Sequence, residues 1–407
     1  MHLTIPAFPR GFKLQILLLF LVFPAGVFSA LGQANVSKDS MARQKDLIDV
    51  YDTLFHVPAK SRAGESFHNS PFPAIGYTQV TGLAAVFSDR MDFYTGKPTE
   101  SKETDILSSV TYSQYNQVIA QSYADVWTKG DKYNIVADWR YMKYPSTTFG
   151  LGGHTQYTDG YTIDFSYIKL HTSILRYLAP NFYGGLGYYF DYFYQVREVN
   201  PPPGIITSFQ KYGLTPTEKG SGPVVRLLYD SRINPANSYN GWYASAVYHP
   251  SFESLGSQGN WATLQIDIRH YIPLRPDNRN ILAFWNFDWF SVGGKTPYLL
   301  LPSTGWDDQF NTGRGYIQGR YRGADMEYLE VEDRFAISEN GLIGGVVFVN
   351  AQSFKKNLAT QFSAIAPGYG FGLRLKLNKT SATNICVDYG FGLQGSQGIS
   401  VNLGEVF

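Results

Sequence analysis

The chain has 407 residues, more than one ordinary domain of roughly 100–200 residues requires. Only 16% of the residues are charged, and 34 basic against 33 acidic side chains leave a net charge of +1, which excludes the strongly basic face that nucleic-acid binding would need. Aromatic residues make up 16% of the chain, so the composition excludes a disordered chain and favours a large β-protein.

The first 34 residues have the layout of a secretory signal peptide. Basic residues precede an apolar run over 14–31, and small residues up to Ala34 suit cleavage there. The alternative is a membrane-spanning helix that anchors a soluble domain, but Pro24 and Gly26 interrupt the run. Since no later stretch reaches the roughly 18–20 apolar residues of a spanning helix, the exported chain is predicted to have no transmembrane helix.

Residues 35–73 are predicted to form a short periplasmic segment ahead of the main domain. Apolar residues between Lys38 and Phe55 could lie on one side of a short helix. Three prolines mark residues 58–73 as a linker. The helix is expected to close the mouth of the domain that follows, and a partner-binding helix is the alternative.

Residues 74–407 contain long segments in which apolar residues alternate with polar or small ones. In 368–378 the odd positions are apolar, and the same pattern recurs over 384–394. Alternation alone also fits a half-buried strand of a soluble protein. The number and length of these segments, and the aromatic residues at their ends, instead favour an outer-membrane β-barrel, whose strands turn apolar residues to lipid and polar residues inward.

Turn signals divide this domain into about sixteen strands, an even number, as bacterial single-chain barrels show. The predicted strands lie at about 75–90, 104–116, 117–128, 131–143, 145–158, 160–178, 181–197, 220–231, 241–253, 259–272, 279–292, 324–337, 341–353, 366–378, 383–393 and 398–407. If the first strand runs outward, all the long connections lie on the outer side and the inner side receives tight turns, which is typical of such barrels. These long connections are 91–103, 198–219, 293–323 and 354–365.

The last predicted strand keeps its alternation up to Leu403 and finishes on the aromatic Phe407, which is typical of the final strand of outer-membrane barrels. Together the patterns predict an all-β fold, a transmembrane antiparallel β-barrel of about 16 strands over residues 74–407. Such a protein lies in the bacterial outer membrane and has its lipids as partners.

The connection 293–323 is the longest, and loops above about 12–15 residues are usually functional or disordered. Its composition favours an ordered loop over a flexible linker. It carries the run Gly313-Arg314-Gly315-Tyr316, followed by Gly319-Arg320-Tyr321-Arg322.

These two runs, followed by an inward-facing Glu332-x-Arg334, resemble the BamA/TamA-type outer-membrane assembly barrels of the bacterial surface-antigen superfamily. Three further stretches are similar to that family: Asp230-Ser231-Arg232, Asp388-x-Gly390, and Pro73 to Gly82. The likeness covers roughly residues 70–407, and the loop runs are its most specific part.

The resemblance implies a long extracellular loop folded into the lumen. Arg314 would be held there by Glu332 and Asp388, both of which the alternation independently places on the inward face. A guanidinium out of bulk water needs carboxylates in bidentate reach. The alternative is that Arg314 and its neighbouring arginines merely line a wet lumen.

Two departures limit what the resemblance transfers. Full-length family members have a large apolar residue where Gly313 stands here. They also carry periplasmic POTRA domains, and the roughly 40 residues between the predicted signal peptide and the barrel cannot encode one. The chain therefore resembles a short form without POTRA domains.

Enzymatic chemistry has little support in the sequence. No Gly-x-Ser-x-Gly elbow and no His-Glu-x-x-His run occurs. The single cysteine, Cys386, excludes an internal disulfide and reads as a small inward residue. We therefore expect no catalytic site, no metal and no cofactor.

The resemblance implies a protein that assists the assembly, insertion or translocation of other outer-membrane polypeptides. Its partners would then be client outer-membrane proteins and a lipoprotein or other accessory protein. The alternative is a passive pore or structural barrel that is gated by the 293–323 loop, because wide barrels leave aqueous lumens.

Overall fold

The computed structural model describes residues 44–54, 67–78, 80–97, 100–362 and 364–407. Almost all of these residues belong to one antiparallel sheet of seventeen strands and its connections. The predicted signal peptide and most of the predicted segment 35–73 lie outside the described residues.

The strands are numbered in chain order, together with two α-helices. They are α1 (Leu47–Leu54), β1 (Phe67–Thr78), β2 (Gly82–Phe93), β3 (Thr104–Ser113), β4 (Val118–Trp127), β5 (Tyr133–Lys143), β6 (Ser146–Thr148), β7 (Tyr161–Ala179), β8 (Phe182–Val199), α2 (Ser208–Tyr212), β9 (Thr217–Asp230), β10 (Gly241–Ser251), β11 (Trp261–Pro273), β12 (Asn280–Gly294), β13 (Asp325–Ala336), β14 (Ile343–Lys355), β15 (Ile365–Asn378), β16 (Thr383–Phe391) and β17 (Gln397–Leu403). No helix in the part of the chain that the structure describes is long and apolar enough to cross a membrane.

Apart from β5 and β6, each strand pairs antiparallel with the next one along the chain. The short β6 continues β5 across a bend, and both pair with β7, so the sheet has sixteen strand positions as predicted. The first and last strands lie beside each other. No residue of 67–78 forms a ladder with 397–403, however, and we call this junction the seam.

The prediction of a single first strand at 75–90 is wrong. The structure has two strands there, β1 and β2, which pair as far as Thr78 and Gly82, and the sheet begins at Phe67 rather than at residue 74. Pro71 and Pro73, which suggested a linker, lie inside β1. Proline is tolerated there because β1 is an edge strand, with no ladder on one side that a missing N–H would break.

The additional first strand changes which connections share an end of the sheet. We call one end the loop side; it holds the connections 149–160, 200–216, 295–324 and 356–364. The opposite end, the turn side, holds tight turns such as 180–181 and 379–382. The connection 94–103 lies on the turn side, contrary to the prediction for 91–103, because the extra first strand reverses the direction of the next one. The predicted strand 145–158 is largely connection, with only β6 at 146–148.

The two faces of the sheet differ as the alternation predicts. On β15 the apolar Tyr369, Phe371 and Leu373 are exposed, whereas Arg374, the residue after Leu373, is buried. Asp388 of β16 is buried in the same way. Exposed apolar side chains outside and buried charges inside are the arrangement of a barrel in lipid, not of a soluble protein.

Helix α1 lies at the turn side. The backbone N–H of Lys379, in the turn between β15 and β16, donates to Asp46 Oδ2 at 2.9 Å. The Lys379 ammonium lies 2.6 Å from Asp49 Oδ2. The described part of the predicted 38–55 helix is thus fixed to the rim of the sheet.

The exposed face predicts a strong asymmetry between substitutions. We expect Leu373→Arg, near the middle of β15, to lower the free energy of unfolding in lipid vesicles by about 2–4 kcal/mol, because the charge would enter hydrocarbon. Ser109→Arg is the matched control, since Ser109 faces an interior cavity. Denaturant titration of both variants measures the difference, and equal costs would contradict the assignment of faces.

Candidate functional site

The loop 295–324 is folded back into the interior of the sheet. Its two ends meet in a bridge between Ser303 and Arg322, and most residues between them are buried. Gly315 is required at its inner end, since its φ is +97° and a Cβ would lie 2.5 Å from the carbonyl oxygen of Phe391. Gly313 likewise has a φ of +77°. The large apolar residue of the resembling family would be strained at this position.

Arg314 is buried at the tip of this turn and touches three carboxylates. Its guanidinium contacts Glu330 and Glu332 of β13 and lies 2.8 Å from Asp388 of β16. The guanidinium carbon also lies 3.8 Å from the ring centroid of Phe348. The structure thus brings together Arg314, Glu332 and Asp388, which sequence reasoning singled out. Glu330 was not assigned as a partner, although its alternation with Glu332 already placed it on the inward face.

These contacts belong to a closed circuit of alternating charge, which we call the charge ring. In order, it runs through Arg314, Glu332, Arg334, Glu405, Arg374 and Asp388, and back to Arg314. The nitrogen–oxygen distances from Glu332 onward are 2.5, 3.8, 2.8, 2.5 and 2.8 Å. The ring joins the loop to β13, β15 and β16 and to the segment that follows β17.

All members of the charge ring are buried, so their charges depend on each other. Burial by itself lowers the pKa of the Arg314 guanidinium, but Glu330, Glu332 and Asp388 outweigh it and hold the pKa well above its usual value. Burial likewise raises the pKa of Glu405, yet Arg374 and Arg334 leave it below its usual value. Both groups are therefore charged at neutral pH.

The other predicted loop residues fix the loop to its surroundings rather than joining the ring. The Tyr316 hydroxyl donates to the Pro367 carbonyl at 2.5 Å. Arg320 donates to the Thr155 carbonyl at 2.6 Å and to Gln394 Oε1 at 3.0 Å, which ties three connections of the loop side together. Gly319 has a φ of +79° in the turn before Arg320.

The predicted final strand differs from the structure at its end. β17 finishes at Leu403, which pairs with Ile385 of β16. At Gly404 (φ +95°) the chain turns inward, so Phe407 lies in the interior with 3% of its surface exposed. The signal for this turn in the sequence was Glu405, which breaks the apolar alternation. On the lipid face its carboxylate would be unpaired, whereas inside it contacts two buried arginines.

The interior retains a cavity of about 370 Å³ beside the seam. Side chains of β1 to β4 and β17 line one wall, and Asp308 to Asn311 of the loop line another. Charged groups of both signs face it, including Arg90, Asp105 and Arg269.

Comparison with known proteins gives structural likeness alone: no family model matches, and no curated protein matches by sequence. The fold is similar to BamA from Haemophilus ducreyi lacking POTRA domains 1-3, with a TM-score of 0.52, 13% identity, and 83% of this chain and 70% of that one covered. It is also similar to CdiB from Acinetobacter baumannii (0.51, 12%, 84% and 60%) and to CdiB from Escherichia coli (0.52, 10%, 84% and 63%). This chain therefore spans less than two thirds of either CdiB chain.

These neighbours are bacterial outer-membrane β-barrels. The likeness and the inside-out faces of the sheet place this chain in the bacterial outer membrane as a transmembrane β-barrel. The prediction of fold and location is confirmed.

The charge ring predicts a large effect for one substitution. We expect Arg314→Ala to lower the free energy of unfolding by about 3–5 kcal/mol, because it leaves buried carboxylates without their partner. Arg197→Ala is the control: Arg197 is exposed and pairs with Asp164, so its loss should cost about 0–1 kcal/mol.

Urea titration in vesicles measures both costs, and limited proteolysis reports release of the loop 295–324. A loop that stays protected in Arg314→Ala, with unchanged stability, would show that the ring does not hold it.

Proposed function

We propose that this protein assists the assembly, insertion or translocation of other outer-membrane polypeptides. The observation that carries the proposal is the seam: within the described chain, β1 and β17 are neighbouring strands without a ladder, whereas all other neighbouring positions of the sheet are joined by ladders. Unpaired strand edges can template an incoming strand through backbone hydrogen bonds. The similarity to BamA and CdiB supports the same role at the level of the fold.

The seam is held by side chains instead of backbone pairing. Arg90 of β2 reaches across it to the Leu403 carbonyl at 3.5 Å, and its guanidinium also pairs with Asp105 at 2.6 Å. β17 has only seven residues, all paired to β16. Opening such a seam breaks fewer backbone hydrogen bonds than separating any other pair of long strands in the sheet.

The charge ring supports the proposal because it connects the loop with the seam strand. Arg314 on the loop and Glu405, two residues beyond β17, belong to the same circuit. A client that displaces the loop would therefore disturb the anchoring of β17. Lipids and client polypeptides are the proposed partners, and an accessory lipoprotein remains a prediction.

A passive pore is the second candidate, and the observation that favours it is the cavity of about 370 Å³ behind the loop. In that function the loop 295–324 would constrict a channel. The bridge between Ser303 and Arg322 marks where the loop can be shortened without altering β12 or β13.

The test is client insertion into vesicles that contain the purified chain, residues 35–407. An unfolded outer-membrane barrel is added, and its insertion is followed with wild type, with Arg314→Ala and with empty vesicles. We expect wild type to accelerate insertion several-fold and Arg314→Ala to lose most of this effect, because its loop no longer connects to the seam.

A cleavable cross-link tests the seam directly. In a Cys386→Ser background, Ala74→Cys and Ser400→Cys place thiols on β1 and β17, and a reducible bis-maleimide joins them. Insertion should fall to the empty-vesicle rate and recover on reduction. The control pair Val387→Cys and Val401→Cys joins strands that are already paired, so it should have no effect. Full activity with the seam closed would contradict the proposal.

Single-channel recording distinguishes the pore function from the assembly function. If replacement of residues 304–321 by a short Gly-Ser linker raises conductance while clients insert no faster with wild type than in empty vesicles, the second candidate stands.

A further inference from the structure

Residues 405–407 are held in the interior as a bound peptide would be, because groups outside any ladder satisfy their backbone. The Glu405 N–H donates to the Ala236 carbonyl at 3.1 Å. Asn311 Nδ2, on the loop, donates to the Val406 carbonyl at 2.8 Å. Arg334 Nη2 donates to the Phe407 carbonyl oxygen at 2.9 Å.

An aromatic pocket receives the side chain of Phe407. Its ring stacks on Trp285 at a centroid distance of 5.1 Å and lies 6.2 Å from Tyr271. The Arg334 guanidinium lies 5.1 Å from the same ring. Trp285 and Tyr271 are at most 2% exposed, so the pocket is desolvated and shaped around one aromatic side chain.

We propose that this pocket is a peptide-binding site, which Val406 and Phe407 occupy from within the same chain and which a client segment bearing an aromatic residue occupies in their place. The inference rests on the proposed function, since a client segment must enter the interior. It assigns the chemical class of that segment: extended backbone with an aromatic side chain.

The geometry allows the two occupants to exchange. Gly404, with a φ of +95°, is a turn between β17 and the bound segment. Glu405, Phe407 and Asn311 line the cavity of about 370 Å³, so space for an incoming chain adjoins the pocket. A tethered segment has an effective concentration on the order of millimolar. A client held inside the barrel would have a similar effective concentration and could therefore compete for the pocket.

The polar contacts favour a polypeptide over a lipid chain. Asn311 and Arg334 donate to carbonyl oxygens, and the Ala236 carbonyl accepts an N–H. An acyl chain could fill the aromatic pocket but would leave these three groups without partners. A peptide satisfies both the pocket and the polar groups.

The test is peptide binding to the full chain in detergent, measured by fluorescence anisotropy. The probe is labelled Asn-Leu-Gly-Glu-Val-Phe, the sequence of residues 402–407, capped at both ends. We expect Phe407→Ala, which empties the pocket, to bind it at least about tenfold more tightly than wild type, since burial of one aromatic side chain is worth about 1.5–3 kcal/mol or roughly 10–150-fold. Val406→Gly, which removes a buried side chain of the resident segment and leaves the groups of the site unchanged, should show a smaller gain.

Two controls define the site. The same peptide with Ala in place of Phe should lose about tenfold or more in affinity for Phe407→Ala. Adding Trp285→Leu to that variant should abolish the gain. Equal binding of both peptides, or no gain in either Phe407→Ala or Val406→Gly while both variants remain folded, would overturn the proposal. Because no client insertion is measured, this outcome is independent of the proposed function.

Discussion

The structure depends on a set of buried charges that stabilise one another and are costly to separate. Three arginines and three carboxylates alternate in the charge ring, and Glu330 adds a fourth carboxylate beside Arg314. A guanidinium out of water is stable only with carboxylates in contact, so each member requires its two neighbours. Since the members come from the loop, from β13, β15 and β16 and from the chain after β17, this requirement fixes the loop and the last residues to strands with which they share no ladder.

The inward loop and the inward segment 404–407 both fill space in the interior of the sheet. A sheet of sixteen positions encloses more space than its own side chains fill, and both segments enter that space with glycines at their turns. They meet at the contact between Asn311 and Val406. The loop also packs against side chains of β5, β7 and β8, so the filled part of the interior extends well beyond β13–β16, while the cavity remains beside β1–β4.

The seam borders this cavity, so the empty part of the interior lies next to the junction that has no ladder. β1 is an edge strand that contains two prolines, and β17 is short, so their junction relies on Arg90 and on the anchoring of residues 404–407. Side-chain contacts of this kind can be exchanged for contacts with another chain without breaking the rest of the sheet. An assembly role and a pore role place different demands on this junction, since only the former requires it to open.

The sequence by itself determined the class of fold, because many long alternating segments with aromatic ends favour a barrel over a soluble protein. Local spacing also assigned exposed Phe371 and Leu373 to one face and Glu332 and Asp388 to the other. The resemblance of the loop runs to a known family singled out Arg314. Only the tertiary structure decided that Pro71 and Pro73 lie in a strand, because at a sheet edge the missing N–H of proline breaks no ladder hydrogen bond. It also decided that Arg374 and Glu405 complete the charge ring, because partners far apart in the chain become neighbours through sheet order and an inward turn, which no local pattern records.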